Sequence, residues 1–486
     1  MGIYIQQDDY TILKQNILPK YVKLDVLDFS MNTLDEISGD LINMSVSIDA
    51  NSDLRRSCQV SLVVIESKYA IQSGGRIWID RYVRPWVGYE NIHTHKIQWY
   101  NQGVFIINAP TYKYDATTNT LSFEGLDLMS QLTGIRNGQL EGLETIIPQG
   151  SNVREALIST LSQLGNFNKY IIDNCKYSNG VIQDVPNDIQ INQGGTVYDI
   201  LKALRDILPS YEIFFDNTGT FIYQQIPTGQ YEAVILDDDI LGQIVTDESV
   251  DVDFENVKNI IEVWGKTHDI DYVAENVVID NNDIELTVPA IEGLPENKLI
   301  GFTPNEVLNG EVNVKVIGKQ NFNGIDGNYY PLVMQSGDNF IQLKKDVLYL
   351  ISWNNTNKTW IFVGHQQAQA VAKDTNPNSP FCTTINNSLY NIRLVLYGGE
   401  YDNIYTDELA QQRADYELWK RTRLEDSINL SCVPIPWLDV NQVVNYTPHN
   451  SNESHQYIIK SISTEYGDSA TQTINMIRYY PLYPDI

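Results

Sequence analysis

A chain of 486 residues exceeds what one compact core holds and implies about two to four domains. Acids outnumber bases 62 to 33, a net charge of −29, which argues against a nucleic-acid surface built on clustered Lys and Arg and disfavours an anionic membrane as partner. Charged residues are only 20% of the chain while tyrosine occurs 30 times, so the composition predicts a mainly β protein whose acidic surface serves solubility or repels an anion.

The four cysteines, Cys58, Cys175, Cys382 and Cys432, form no CxxC pair, so isolated, partly buried thiols are expected rather than a zinc or redox site. The start, MGIYIQQDDY, is acidic and carries no signal-peptide pattern, and Gln6 stands where a myristoylation signal needs Ser or Thr. No apolar run reaches membrane-spanning length. Assembly in a cytoplasm, as a soluble chain, is the expectation.

In chain order, residues 1–135 read as mostly strands. "INMSVSIDA" and "CQVSLVVIE" alternate apolar and polar positions, and "GVFIINAPTYKY" opens a strand at Gly103 that Ala109-Pro110 should end. The polar run Tyr114–Thr120 predicts a turn that brings Phe105–Ile107 beside Leu121–Phe123. Residues 136–235 change character. "SNVREALISTLSQLG" predicts a helix capped by Asn152 with Glu155 and stopped at Gly165. "TVYDILKALRDILP" predicts a second, capped by Thr196 and ended by Pro209, and "YEIFFDNTGTFIYQQ" a hairpin turning through Asp216–Gly219. Strands return over 236–275, including "NVKNIIEVWGK". Residues 276–371 read as an inserted all-β module whose clearest hairpin is "VLYLISWNNTNKTWIFVG", left through the Pro/Asn-rich 372–381. The helix "TDELAQQRADYELWKRTRLED" follows, with Thr406 as cap, acids first, bases last and a stripe of Ala410, Ala414 and Leu418. Strands complete the chain.

Few motifs suggest chemistry. His93 and His95 would share one side of a strand, but no further ligand lies near, and a surface position is favoured over a metal site. The acids at Asp237–Asp239 and at Asp280 and Asp283 fit no calcium-loop spacing and read as turns or solvated loops. Gly194-Gly195 precedes a helix without a phosphate-loop pattern. No GxSxG occurs. Tyr349, Trp353 and Trp360 could form a sugar platform, though cross-strand core pairs are favoured. No catalytic, cofactor or metal residue is assigned. Asp127, in "TNTLSFEGLDLMSQL", is expected to be the N-cap of a short helix that Gly134 stops, a structural role rather than a catalytic one.

Three stretches carry a resemblance to phage tail baseplate hub and tail-tip proteins. The first is "NQGVFIINAPTYKYDATTNTLSFEGLDLMSQL", with Gly103, Phe105, Ile107, then Gly125, Leu126, Asp127 and Leu132. The second is "GGTVYDILKALRDILPSYEIFFDNTGTFIYQQIP", and the third joins "IYTDELAQQRADYELWKRTRLEDSINLSCVPIPWLDVNQVV" to "YIIKSISTEY". The resemblance implies a mainly β chain with α+β parts: two tail-tube-like β-barrel domains, an α/β side domain and the insertion. The corresponding boundaries are 1–135 for the first barrel, 136–235 for the side domain, 236–275 with 380–486 for a discontinuous second barrel, and 276–371 for the insertion. The implied function is a non-enzymatic homotrimeric hub that adapts a sixfold tube to a threefold spike, with DNA passing through without specific binding. Its implied partners are a tail tube or distal tail protein above, a spike or tail-tip protein below, and a tape measure protein as a further candidate. Its implied place is the virion tail, without membrane insertion and without cofactors. The alternatives are a carbohydrate-binding adhesin using the insertion, or a cell-wall hydrolase.

Overall fold

A computed structural model of the chain describes residues 7–479 apart from 39–40, 65–68, 116, 118, 143–144, 177–179, 181–182, 209, 227–233, 292, 295, 319–327, 378, 380, 384–390, 423–424, 452 and 468–469. Gln6, the expected stop at Pro209, Arg423 in the basic helix end and the run after Tyr479 lie outside the described residues, as do Asn378 and Pro380 of the exit linker. The fold is mostly β, with five α-helices among the described residues: α1 (Gln7–Leu13), α2 (Val153–Ser159), α3 (Val197–Arg205), α4 (Asp238–Ile244) and α5 (Asp407–Arg421).

A 14-stranded sheet organises the molecule. Its first eight neighbours run Val245–Asp253, Glu425–Cys432, Thr471–Arg478, His455–Glu465, Leu41–Asp49, Arg56–Val63, Asn119–Asp127 and Phe105–Tyr114, and every pairing among them is antiparallel. Tyr82–Asn91, Lys20–Leu27 and Thr33–Ile37 continue it. Strands from both ends of the chain therefore share one sheet. The seam lies where Leu41–Asp49 meets His455–Glu465, with Ser45 opposite Glu465 and Ile48 opposite Ile462.

The alternating sequence explains why both halves belong together. Met44, Val46, Cys58, Val60, Phe123, Ile428, Leu430, Ile459, Ile462, Ile474 and Met476 all point to one side and form a single buried core. Each large apolar side chain wholly removed from water there, such as Phe105 or Met476, stabilises by roughly 1.5–3 kcal/mol. Trp437 sits in this core against the rings of Tyr10 of α1 and Tyr100, and Tyr89 donates its hydroxyl to the Pro434 carbonyl at 2.6 Å, so the late segment 434–438 plugs the early half.

Gly125 shows how tight the packing is. A Cβ there would lie 2.4 Å from Cys58 Sγ and 2.8 Å from Phe105 Cβ, so only glycine fits between those strands. All four cysteines are free and buried, and burial pushes the Cys432 thiol up to about 12.

The side domain packs α2 and α3 on the hairpin Tyr211–Phe215 and Phe221–Gln225. Asn152 accepts Glu155 N–H at 3.1 Å, and Thr196 with Asp199 closes a reciprocal capping box. The insertion is a nine-stranded sheet with its own core.

Several expectations need correction. Ala109-Pro110 does not end its strand. Ala109 adopts a left-handed φ of 45°, the register shifts between Asn108 and Thr111, and the strand continues to Tyr114, which is a bulge. His93 and His95 lie in a turn, not on a strand, because Asn91 accepts the backbone N–H groups of His93 and Thr94 and His95 takes a φ of 54°. Asp237–Asp239 is no loop: Asp238 and Asp239 form the first turn of α4, where acids complement the helix dipole. Ile260–Thr267, expected in the second barrel, pairs instead with Gln367–Lys373 and Arg393–Tyr397 in a separate three-stranded sheet. Its apolar side, Ile261 and Val263, is taken up by Leu409, Ala410 and Ala414 of α5, so it has no core left to share with the large sheet.

Candidate functional site

The large sheet has a second face, opposite the core, and its composition is unusual for a chain this acidic. Rows of side chains run across it at right angles to the strands. One row reads Asp247, Ser431, Thr473, Ser463, Ser47 and Ser57. Another reads Thr471, Glu465, Ser45, Gln59, Glu124 and Asn108. Neighbouring positions are Asn43, Ser61, Ser122, Ser249, Asp251, Asn429 and Asn475. The hydroxyls and amides hydrogen-bond one another, as between Ser47 Oγ and Ser463 Oγ at 3.3 Å across the seam and from Asn475 Nδ2 to Asn429 Oδ1 at 2.8 Å. The charges on this face are carboxylates. The exception within the eight-strand stretch is Lys113, at the far end of the last strand opposite Thr120, and farther along the sheet Lys23 and Arg84 share the face with Asp25. Over the eight-strand stretch such a surface offers hydrogen bonds to water and, apart from Lys113, no cation to a phosphate.

Both outer strands of this eight-strand stretch have an open edge among the described residues. Val245–Asp253 pairs only with Glu425–Cys432. Beyond the bulge, Thr111–Tyr114 pairs only with the strand Asn119–Asp127. On the side facing away from the polar rows, both edges expose apolar groups: Tyr112 and Tyr114 are 50% and 75% accessible, Val252 43%.

Asp127 stands where the sheet hands over to the side domain. It is 2% exposed, begins the 3-10 turn Leu128–Gln131, and accepts Met129 N–H at 2.8 Å and Arg56 N–H at 3.1 Å. Burial pushes its carboxyl up to about 6, while the two N–H groups and the nearby Arg56 and Arg55 charges hold it down. Around it a buried polar network ties three parts of the chain. Arg55 pairs with Glu212 of the side-domain hairpin and lies 3.7 Å over the Phe214 ring. Glu212 also accepts from Gln224 at 3.0 Å and from Asn441 at 2.7 Å, and Arg56 pairs with Asp439. Asn441 in turn accepts Lys460 Nζ at 3.1 Å. Asp439, Asn441 and Lys460 come from the late half of the sheet protein, so the network fixes both halves and the side domain at one point.

The insertion leaves and re-enters through neighbouring crossings, each carrying a histidine. His268 Nε2 meets the Tyr405 carbonyl at 2.8 Å, and His365 Nδ1 meets Asp407 Oδ2 at 2.7 Å. Burial lowers the His268 pKa, with Lys266 acting the same way. Asp407 also accepts the N–H groups of His365 and Gln369, and Gly364, with φ of 107°, leaves it room: a Cβ there would fall 2.1 Å from Asp407 Oδ2.

The other candidates do not assemble a reactive centre. His95 Nδ1 pairs with Glu90 at 2.9 Å on the surface. Trp353 and Trp360 are a buried cross-strand pair with ring centroids 5.1 Å apart, and Tyr349 is buried, so none is a sugar platform. Gly194, with φ of 85°, leads into the capped start of α3. Among the described residues no three His, Cys, Asp or Glu side chains gather as metal ligands, and no helix is long and apolar enough to cross a membrane.

Solved tail proteins have a similar fold. The tail protein from Neisseria meningitidis MC58 superposes with a TM-score of 0.50 at 11% identity, over 95% of this chain and 98% of that one. The 43 kDa tail protein of prophage MuSo2 from Shewanella oneidensis matches over 95% and 98% at 10% identity, with a TM-score of 0.49. The prophage tail protein gp18 from Listeria monocytogenes EGD-e matches over 94% of both chains at 10% identity, with a TM-score of 0.43. The first of these superpositions shows the fold of a tail protein, in agreement with the resemblance read from the sequence. By sequence, a family described as a domain of unknown function (DUF5048) matches residues 378–483. No curated protein matches the chain by sequence.

Proposed function

We propose that this chain is a structural hub of a phage tail, acting as a ring of three copies between a sixfold tube and a threefold spike, and that its polar sheet face lines the channel for DNA. The observation that carries the reading is that face: eight antiparallel strands with rows of hydroxyls and amides, carboxylates, a single peripheral base and an apolar patch at Ile458 and Ile477. Nucleic acid held by a cationic wall would stall, and this stretch of wall offers it only Lys113 at the edge.

The two open edges supply the assembly. Eight alternating strands end on opposite directions, so the Thr111–Tyr114 edge of one copy meets the Val245–Asp253 edge of the next in antiparallel sense, like every other junction in the stretch. Such a head-to-tail contact closes into a ring. The edges also match in cross-section, with polar side chains on the channel side and Tyr112, Tyr114 and Val252 on the other. In this reading residues 1–135 form one tube-like half and 236–275 with 380–486 the second, less the strands Ile260–Thr267 and Arg393–Tyr397 and the helix α5, which share a core of their own. Residues 136–235 are the side domain, 276–371 the peripheral insertion, and Asp127 is the cap that fixes the first half to its side domain. The role is architectural rather than enzymatic, its place is the virion tail, and its partners are tube or distal tail protein on one side and spike or tip protein on the other.

Native mass spectrometry of the purified chain, alone and with its tube or spike partner, tests this. Three copies are expected. A stable dimer, or a complex that buries the hydroxyl face against protein, overturns it.

A further inference from the structure

Lys113 is conspicuous on the polar face. It is exposed, makes no ion pair among the described residues, and sits on the open strand edge beyond the Ala109-Pro110 bulge. The opposite open edge carries Asp247 and Asp251 on the same face, both exposed and both without an ion pair among the described residues. Side chains alternate strictly along each strand, so a base and an acid on one face meet only when the two strands pair in a register that keeps that face common.

We propose that Lys113 of one copy pairs with Asp247 or Asp251 of the next, and that this contact selects the register of the seam between copies. The inference rests on the ring reading above and adds its specificity determinant. Backbone pairing between two open edges is tolerant of slippage by two residues, because the same faces stay aligned. The neighbours on these edges, Ser249 and Thr111, do not discriminate between such registers. A lone cation facing Asp247 and Asp251 does, because opposite charges placed across strands attract and like charges repel, while Asp253, the third acid of this face, is engaged by the N–H groups of Glu255 and Asn256. The second copy is also a fitting partner on charge: a molecule of net charge −29 has few bases to offer a neighbour, and this one stands where the neighbour's acids arrive.

The test uses charge swaps in the full chain, with sedimentation or native mass spectrometry as readout at low salt. Lys113→Glu is expected to weaken association by about tenfold or more, and added salt should narrow the difference through screening. Combining Lys113→Glu with Asp247→Lys, or with Asp251→Lys, should restore assembly in one of the two pairs, and the pair that recovers identifies the register. Thermal melts of the single variants should match the native chain, since all three positions are exposed. A ring that forms equally well with Lys113→Glu, or that neither swap restores, overturns the charge contact and leaves the ring standing. Should the native chain form no ring, alone or with its partners, both fail together. Cysteines placed at Lys113 and at Asp247 or Asp251 give an independent readout, because oxidation should link copies to one another and never a copy to itself.

Discussion

Arg55 and Glu212 form a buried ion pair between residues 157 positions apart, with the Arg55 guanidinium also stacked on Phe214. Its partners Gln224 and Asn441 draw in the side domain and the late half of the sheet. Removing one charge leaves the other desolvated and alone. Glu212→Leu should cost about 3–5 kcal/mol in urea unfolding, whereas Glu212→Leu with Arg55→Met should cost much less. Equal losses in the single and double variants would show that the two charges are not coupled.

Asp127 predicts a dependence on pH with a definite sign. Its folded pKa, about 6, lies above the ordinary carboxylate value, so the folded state holds the proton more tightly than the unfolded one. The stability this contributes is full below about pH 4 and is lost as pH rises through about 6. Asp127→Asn keeps an acceptor for Met129 N–H without the charge. It should equal or exceed the native chain by up to about 2 kcal/mol at pH 8, with the gap closing at pH 4. Asp127→Ala strands two buried N–H groups and should cost about 2 kcal/mol at pH 4 and less at pH 8, where the native chain already carries the penalty of the buried charge. A severe defect in Asp127→Asn at pH 8 would show instead that the charge itself is needed.

Gly125→Ala forces a methyl group against Cys58 Sγ and Phe105 Cβ. Overpacking of this kind costs about 1–3 kcal/mol. Cys58→Ala clears the nearer obstacle, so the double variant should recover part of the loss in thermal melts. Additive destabilisation in the double variant would refute the clash as the cause.

His268 predicts the opposite sign to Asp127. Burial lowers its pKa, so its contribution is present above about 6.5, the ordinary histidine value, and is lost as pH falls through the lower folded value. Hydrogen exchange at 299–301 and 364–368, corrected for the intrinsic rate, should lose protection between pH 7 and pH 5. His268→Gln, which retains a donor for the Tyr405 carbonyl, should flatten that response. An unchanged profile in His268→Gln would place the titrating group elsewhere.

Local signals in the sequence carried the elements well. Thr196, Asn152 and Thr406 cap helices as their spacing implies, and the Tyr211–Gln225 and Tyr349–Gly364 hairpins form where the turn residues place them. The failures are tertiary. A helical first turn rich in Asp looks like a solvated loop until the helix behind it is known, as at Asp237–Asp239. Ala109-Pro110 looks like a strand end because proline cannot donate to a ladder, yet an outer edge needs no donor there. The seam between Leu41–Asp49 and His455–Glu465 joins residues some four hundred positions apart, and nothing local marks it. The polar face was there to be seen. Ser45-Val46-Ser47, Thr471-Gln472-Thr473 and Ser461-Ile462-Ser463 place small polar groups at every second position, but only the pairing of those strands turns three short patterns into one surface.

Strand parity has a consequence for the number of copies in the proposed ring. Because the eight-strand stretch is even and alternating, each added copy presents the same two edges in the same directions, and the hydrogen-bonded ladder is satisfied after any number of copies. The ladder therefore carries no information about stoichiometry. That information lies in how sharply each copy bends the wall, and one extra residue at Ala109-Pro110, placed beside the open edge, is where the bend can be set. A tail built this way would change its bore by moving a bulge, with every backbone contact left as it was.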